Sequence, residues 1–148
     1  MRVETYSDCY LDDVVRIVEN FHRESIGEYD ALFDANSLIE TIKHEAVNNS
    51  GNGYLLIVDE VCQGIIFGVK VKSLTNGKTM FQEIIWYVNE PFRRYGVILL
   101  RHVEKILKSE GIGIMIMAVM ENSKAEKIKA FYERLGFKKM ETHYVRSL

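Results

Sequence analysis

The sequence predicts an α/β domain built on a mixed central sheet of about six strands with about four helices. Residues 84–88 form a β-branched and aromatic run that breaks at Pro91 and gives way to helical spacing, so a strand, a short turn and a helix follow one another. Residues 112–120 are almost continuously apolar, which is typical of a strand that is buried on both faces and parallel to the strand before the helix.

The elements are expected in the order β-α-α-β-β-β-α-β-α-β. The strands are predicted at residues 1–6, 54–58, 61–72, 79–88, 112–120 and 137–145. Asn76-Gly77 lies between two β-patterned runs and predicts a hairpin. Residues 48–53 are interpreted as a loop because they consist of Asn, Ser and Gly.

The first and third helices are predicted from apolar residues at helical spacing. The apolar stripe of the first is Leu11, Val14, Val15, Val18 and Phe21, and that of the third is Leu99, Leu100, Val103, Ile106 and Leu107. Ser7 or Asp8 is expected to cap the first helix, and Gly111 is expected to end the third.

The second and fourth helices are predicted from capping boxes, in which a Ser and the Glu three residues later satisfy unpaired helix amides. Ser37 with Glu40 opens the second helix. Ser123 with Glu126 opens the fourth, and Gly136 ends it.

The composition is that of an ordinary soluble globular protein, and a single domain is expected over residues 1–148. The chain is 47% hydrophobic and 27% charged, and no apolar run reaches the roughly 18 residues of a transmembrane helix. Its net charge of −2 gives no drive toward nucleic acid or an anionic membrane. Cys9 and Cys62 have no metal or redox spacing, which favours free thiols in a reducing cytoplasm.

The turn before the third helix has the features of an anion site. It carries Arg93 and Arg94 and leads directly into a helix, where the first N–H groups are unpaired and the helix dipole favours negative charge. Two arginines beside those amides suit a pyrophosphate. The alternative is an ordinary strand-to-helix connection whose arginines are solvated.

Two motifs resemble those of the GNAT (Gcn5-related N-acetyltransferase) superfamily. The acetyl-CoA-binding pattern of that family is V-x-P-x-x-R-x-x-G-x-G/A, for which this chain offers Val88, Arg93 and Gly96. Residues 122–125 and 130–137 are similar to the second motif, N-x-x-A…F-Y-x-x-x-G-F. The motifs occur in the family's order and at about its usual separation, and the predicted order of elements is that of the GNAT fold.

The resemblance implies an N-acetyltransferase that transfers an acetyl group from acetyl-CoA, its co-substrate, to a small-molecule or protein amine by direct attack and without a metal. The residues expected to bind the cofactor are Trp86, Val88, Arg93, Arg94, Tyr95, Gly96, Val97, Asn122 and Lys127. A cytoplasmic location is expected, with no nucleic-acid or membrane partner, and a homodimer stays open beside a monomer.

Glu83 and Tyr132 occupy the positions at which the family has its catalytic groups. Because an ammonium group is not nucleophilic, the acceptor needs a base, and Glu83 corresponds to the family's general-base glutamate. Burial would raise its pKa, and the neighbours expected are Phe81, Ile85 and Trp86. Tyr132 corresponds to a tyrosine that donates to the leaving thiolate. The alternatives are a glutamate directed to solvent and a core aromatic residue beside Phe131.

The turn departs from the family pattern. Direct matching of Arg93 and Gly96 puts Ile98 where the family has Gly or Ala. At about 100° per residue, Gly96 falls about 20° from Val103 on the helix, and Ile98 about 140° away. Gly96 is therefore expected to be the final small residue of the motif, in a turn about two residues short, with Glu90 where the family has proline. This shortening favours the alternative function, a GNAT-fold binding module with weak or no CoA binding that acts through a protein partner.

Four carboxylates fall in the segment that lines the acceptor pocket in the family. They are Glu24, Glu28, Asp30 and Asp34. They would attract a cationic acceptor such as an aminoglycoside, a polyamine or a lysine side chain. The alternative is a solvated acidic loop.

Overall fold

The structure is a computed structural model that describes residues 1–26, 33–48, 51–122 and 124–146, with the backbone alone at 45–48 and 51. Its helices are α1 (Leu11–Phe21), α2 (Ala35–Asn48), α3 (Gly96–Ser109) and α4 (Ala125–Arg134). Its strands are β1 (Arg2–Thr5), β2 (Gly51–Val58), β3 (Val61–Lys72), β4 (Thr79–Val88) and β5 (Met115–Ile116). Three short helical turns join them, a 3₁₀ turn at Asp8–Tyr10, a π-helical turn at His22–Ile26 and a 3₁₀ helix at Glu90–Tyr95.

The chain separates into two compact units, residues Met1–Ala118 and residues Val119–Leu148. The first contains the strands together with α1, α2 and α3, and the second contains α4. A single domain over residues 1–148 stays a prediction. In the part of the chain that the structure describes, no helix combines the length and the apolar character needed to cross a bilayer.

The sheet has the strand order β1-β2-β3-β4-β5. The first four strands are antiparallel neighbours, whereas β5 runs parallel to β4, with Phe81 opposite Met115 and Gln82 opposite Ile116. A parallel neighbour after a crossover helix is what the sequence predicts. The mixed α/β fold is therefore confirmed, with five strands in the described residues where about six were expected.

Two tight turns connect the three central strands. Asp59 and Glu60 both have positive φ, 50° and 64°, which suits the twist of a two-residue hairpin. In the second turn Gly77 has φ 69°, and the Lys78 N–H donates to the Asn76 side chain at 3.0 Å. The hairpin predicted at Asn76-Gly77 is confirmed.

The cap predicted for α2 is wrong, although the helix begins near Ser37 as predicted. The helix begins at Ala35, and the Asp34 carboxylate accepts hydrogen bonds from the Asn36 N–H at 3.0 Å and the Ser37 hydroxyl at 2.6 Å. These bonds lower the pKa of Asp34. A carboxylate just before the helix has thus taken the capping role assigned to Ser37 and Glu40, because it can accept from amide and hydroxyl together.

The cap predicted for α1 also differs from the structure. Neither Ser7 nor Asp8 caps α1, which begins only after the 3₁₀ turn and has no side-chain cap. The side chain of Ser7 lies 3.0 Å from Cys9 Sγ instead. Ser123, the predicted start of α4, lies outside the described residues.

The loop predicted at residues 48–53 is wrong for the residues that the structure describes. Asn48 belongs to α2, and Gly51 to Gly53 belong to β2, while 49–50 lie outside the described residues. A Cβ on Gly53 would lie 2.9 Å from the Cβ of Tyr6. The glycine therefore permits close approach within the sheet rather than marking a loop.

The last two predicted strands are corrected by the structure. The strand expected at 112–120 is reduced to Met115–Ile116, which are only partly buried, and Ile114 is 47% exposed. Residues 137–146 form no strand, and Tyr144 and Val145 are largely exposed there. Apolar and β-branched content predicts that a segment can enter a sheet, but whether it does depends on its tertiary context.

Helices α1 and α3 pack against the sheet with apolar stripes close to those predicted. In α1 the buried residues are Val14, Ile17 and Val18, so Ile17 replaces Val15 in the stripe. They form one core cluster with the following residues: Ile42, Leu55, Ile57, Cys62, Ile65 and Tyr87. In α3 the buried residues are Gly96, Leu99, Leu100, Val103 and Leu107, with Ile106 partly buried. Gly111 and Gly136 have φ of 79° and 90° just past α3 and α4, which confirms both predicted helix ends.

Gly68 gives a direct test of packing within the sheet. A Cβ at Gly68 would lie 2.5 Å from the carbonyl oxygen of Gln82 and would overlap the ring of Phe81. Gly68→Ala is expected to lower the free energy of unfolding by about 1–3 kcal/mol, measured by denaturant titration. Gly113→Ala is the matched control, since a Cβ there meets nothing within 4 Å. Equal stability of the two variants would contradict this packing.

Candidate functional site

The middle of β4 contains a β-bulge. Phe67 pairs with Ile85 and Gly68 pairs with Glu83, so Ile84 has no residue opposite it on β3. One extra residue changes the alternation of side chains between the two faces of the strand. Ile84 itself is 51% exposed. Parallel pairing of β4 with β5 ends at Gln82, one residue before the bulge begins.

Glu83 is the one buried charged residue in the described part of the chain, with 7% of its surface exposed. Its Oε2 accepts a hydrogen bond of 2.8 Å from the Ala118 N–H. Burial raises its pKa to about 7, although the bond from Ala118 opposes the rise. A carboxyl group with this pKa can accept and release a proton near neutral pH.

The predicted rise in the pKa of Glu83 agrees with the structure, but one of its predicted neighbours does not. Phe81 is fully buried and Trp86 is partly buried, whereas Ile85 packs against the cluster formed with α1 and α2. The bulge explains this difference, because it directs residues 83 and 85 to opposite faces of β4.

Hydrogen bonds of Asn89 hold the first residue of the turn between β4 and α3. The Asn89 N–H donates to the Gln63 carbonyl at 2.9 Å, and the Asn89 side chain donates to Gln63 Oε1 at 3.0 Å. Asn89 Oδ1 accepts from the Asn20 side chain at 3.1 Å. Sequence reasoning missed these three residues, since amides so far apart in the chain carry no local signal.

The rest of the turn is a 3₁₀ helix, Glu90–Tyr95, that runs directly into α3. The Phe92 N–H donates to Asn89 and the Gly96 N–H donates to Arg93. These two amides are therefore engaged within the turn. Pro91 suits the start of this helix because it has no N–H to satisfy.

The helical spacing predicts that Gly96 faces the core and that Ile98 does not, and the structure agrees. Gly96 is buried, and a Cβ there would lie 3.5 Å from the Trp86 ring and 3.6 Å from Val88 Cγ2. Ile98 is 45% exposed. The register of the helix is confirmed, and the contact of Gly96 with a phosphate stays a prediction.

Arg93 is bound by a carboxylate of a distant segment. Its Nη2 lies 2.7 Å from Glu24 Oε2, and its Nη1 lies 3.8 Å from Glu90 Oε1. The Tyr87 hydroxyl donates to the other oxygen of Glu24 at 2.6 Å. Burial and this bond raise the pKa of Tyr87 to about 12, so the phenol stays protonated at neutral pH. Glu24 thus bridges β4 and the basic turn.

Arg94 is directed toward its neighbour in the chain. Its guanidinium lies 4.7 Å from the centre of the Tyr95 ring and donates to the Tyr95 hydroxyl at 2.7 Å. Val88 is buried, and Val97 is partly buried. The structure brings together the predicted cofactor residues of the first unit on β4, the turn and the start of α3.

Three predicted site residues, Asn122, Lys127 and Tyr132, lie in the second unit. Tyr132 is buried, and its ring centre lies 6.3 Å from that of Phe131 and 5.3 Å from that of Phe137. Asn122 Oδ1 accepts from the Lys124 N–H at 2.9 Å, just before α4, while Lys127 is exposed. The roles of Tyr132, Asn122 and Lys127 stay predictions.

Of the acidic segment, Glu24 and Asp34 lie in the described residues and Glu28 and Asp30 lie outside them. Asp34 caps α2, and Glu24 binds Arg93 and Tyr87. Within the described residues, no three His, Cys, Asp or Glu side chains are grouped so that they could hold a metal ion.

The fold and this site define a mixed α/β domain with a buried carboxylate on the strand that precedes a basic turn and a helix. The sequence model of the Acetyltransferase (GNAT) family matches residues 11–137. This match spans well over half of the chain. The chain belongs to the GNAT acetyltransferase family, and its order of elements is that of the GNAT fold.

Solved structures with the same fold are distant in sequence. An aminoglycoside antibiotic 6′-N-acetyltransferase from Acinetobacter haemolyticus is 16% identical with a TM-score of 0.76, covering 100% of this chain and 98% of that one. A ribosomal-protein-alanine N-acetyltransferase from Brucella melitensis is 11% identical with a TM-score of 0.76 and full coverage of both chains, 100% and 100%. A Trypanosoma brucei acetyltransferase is 16% identical with a TM-score of 0.76, covering 99% of each. No curated protein matches the sequence.

The burial of Glu83 predicts a pH-dependent stability. Its pKa is 4.5 when solvated and about 7 in the folded protein, so between these values the unfolded chain ionises first. The free energy of unfolding should therefore fall as the pH rises from about 4.5 to about 7 and level off above it. Glu83→Gln should remove this fall and be more stable at pH 8 by up to about 3 kcal/mol. Denaturant titrations across this range test it, and parallel pH profiles for the two proteins would contradict it.

Proposed function

We propose that the protein is an N-acetyltransferase that moves an acetyl group from acetyl-CoA to an amine by direct attack. The observation that carries the proposal is the buried Glu83, whose pKa of about 7 suits a general base at neutral pH. It stands on the strand that leads into the basic turn and α3. Membership of the GNAT family supports the same chemistry.

Glu83 is proposed to take the proton that an ammonium acceptor must lose. Its second role is electrostatic, since an ionised carboxylate attracts the positive acceptor before the proton moves. The hydrogen bond from Ala118 to Oε2 fixes the group and leaves Oε1 as the oxygen proposed to accept the proton. The nitrogen then forms a bond to the acyl carbon as the carbon–sulfur bond breaks, and its second proton passes to water, which restores the group that protonates the thiolate.

Tyr132 is proposed to give its phenolic proton to the departing thiolate. This assignment comes from the resemblance of residues 130–137 to the second family motif. The burial of Tyr132 beside two aromatic side chains supports a fixed orientation for its ring.

The thiol of Cys62 is buried, and burial raises its pKa to about 12. This thiol is therefore a poor nucleophile, which supports transfer without a covalent intermediate at that residue.

Acetyl-CoA would supply the thioester, and the residues of the turn fit its diphosphate in chemistry. Arg93 and Arg94 bring two positive charges to the start of a 14-residue helix. Gly96 is buried against Trp86 and Val88, which keeps the backbone of the turn close to β4. We propose that these residues, with Tyr95, Val97, Asn122 and Lys127, hold the cofactor.

The acceptor is proposed to be a primary amine, on a small molecule or on a protein. The solved relatives named for aminoglycosides and for a ribosomal protein's alanine use acceptors of these two kinds.

Cys9 and Cys62 are both free thiols, which supports a location in the cytoplasm.

A second candidate is a GNAT-fold module that binds CoA weakly and acts through a protein partner. The geometry of the turn favours it, because two backbone amides are engaged in the 3₁₀ helix and Arg93 is paired with Glu24. Both features reduce the groups that are available to a pyrophosphate. Binding of acetyl-CoA and turnover of an amine distinguish the two candidates.

Acetyl-CoA is expected to stabilise the protein, by about 2.7 kcal/mol at a hundredfold excess over its dissociation constant. Arg93→Ala with Arg94→Ala should weaken binding, as measured by calorimetry and thermal shift, because the turn loses both positive charges. Arg101→Ala, which removes an exposed arginine of α3 paired with Glu104, is the matched control and should bind normally. An unchanged melting temperature with millimolar acetyl-CoA would exclude the enzyme and favour the second candidate.

Turnover is expected to depend on Glu83 and Tyr132. Glu83→Gln should lower kcat by about 10²- to 10⁴-fold while acetyl-CoA still binds, and the wild-type rate should rise as the pH increases through about 7. Tyr132→Phe should also lower kcat and spare binding, since it removes only the donor hydroxyl. Release of free thiol from acetyl-CoA, measured against a panel of amines, reports both effects. Full activity in both variants would overturn these assignments.

A further inference from the structure

Two of the contacts of the Glu24 carboxylate join different parts of the proposed site. One oxygen receives the Tyr87 hydroxyl at 2.6 Å, and the other lies 2.7 Å from the Arg93 guanidinium. Tyr87 is buried in β4, whereas Arg93 and Glu24 are 40% and 31% exposed at their side chains. The fixed end of the bridge is therefore the phenol, and the exchangeable end is the guanidinium.

Tyr87 and Arg93 are expected to respond differently when an anion binds to the basic turn. The Tyr87 phenol, with a pKa of about 12, stays protonated and keeps donating to Glu24. Arg93 lies at the water-exposed end, so a pyrophosphate can offer it a stronger, doubly charged partner. An exposed ion pair contributes little to stability and is readily exchanged.

We propose that Glu24 is the internal counter-ion of Arg93, which the pyrophosphate of acetyl-CoA must displace in order to bind. Glu24 is then a positioning residue that acts through Arg93. This inference rests on the proposed function and adds to it a residue outside both sequence motifs. While it is paired with Arg93, Glu24 weakens the attraction of the basic turn for other anions.

Removal of the competing charge should strengthen cofactor binding. Glu24→Gln keeps the size of the side chain and its capacity to accept from Tyr87, and it should lower the dissociation constant of CoA by about two- to fivefold, the range of a partly exposed ion pair. Calorimetric titration with CoA measures this directly. A residue with a purely structural role would give the opposite result, because its loss could only impair the site.

Two controls make the result specific. Glu90→Gln removes the other carboxylate near Arg93, which is 83% exposed and 3.8 Å away, and it should change CoA affinity less than Glu24→Gln does. The gain from Glu24→Gln should disappear in an Arg93→Ala background, since a double-mutant cycle isolates the interaction of the pair. Glu24→Ala should reproduce the gain if the glutamine variant misfolds.

The outcomes separate this inference from the proposed function. If the wild type binds CoA and Glu24→Gln binds no more tightly, or more weakly, then Glu24 does not compete and the inference fails alone. An equal gain in the Arg93→Ala background would also overturn it, because the effect would be one of net charge. If neither the wild type nor Glu24→Gln binds CoA, the proposed function fails as well.

Discussion

The bulge at Ile84 is the constraint on which the rest of the site depends. Its extra residue places Trp86 and Val88, which lie against the start of α3, on the same face of β4 as Glu83. The parallel pairing of β4 with β5 stops just before it, and the Ala118 N–H bonds the Glu83 carboxylate rather than continuing the ladder. A buried carboxyl with a raised pKa is thus a consequence of how two strands separate.

The basic turn is held by hydrogen bonds at its start and by packing at its end. Asn89 ties it to Gln63 on β3 and Asn20 on α1, and Gly96 lies against the side chains of β4. A turn fixed in this way has little freedom to rearrange when a ligand binds. The adjustable part is the side chain of Arg93, which can exchange Glu24 for another anion.

Some elements were predictable because their signals are local. The structure agrees with the predicted limits of β3 and β4, with the Asn76-Gly77 hairpin and with the glycines that end two helices. These predictions use the spacing of apolar residues and the preference of glycine for positive φ, and both signals come from residues that are close in the sequence. Helix starts were less predictable. Asp34 caps α2 in place of the predicted Ser37, because several polar residues before a helix compete for the same amides.

The sequence by itself determined the family, the order of elements up to α4, the burial of Gly96 and the candidate base Glu83, because each follows from a motif or a period within a short segment. The tertiary structure alone decided the bulge at Ile84 and the bridge from Tyr87 through Glu24 to Arg93. These features join residues far apart in the chain, and no pattern along one segment specifies which distant group will satisfy a buried hydrogen bond or a charge.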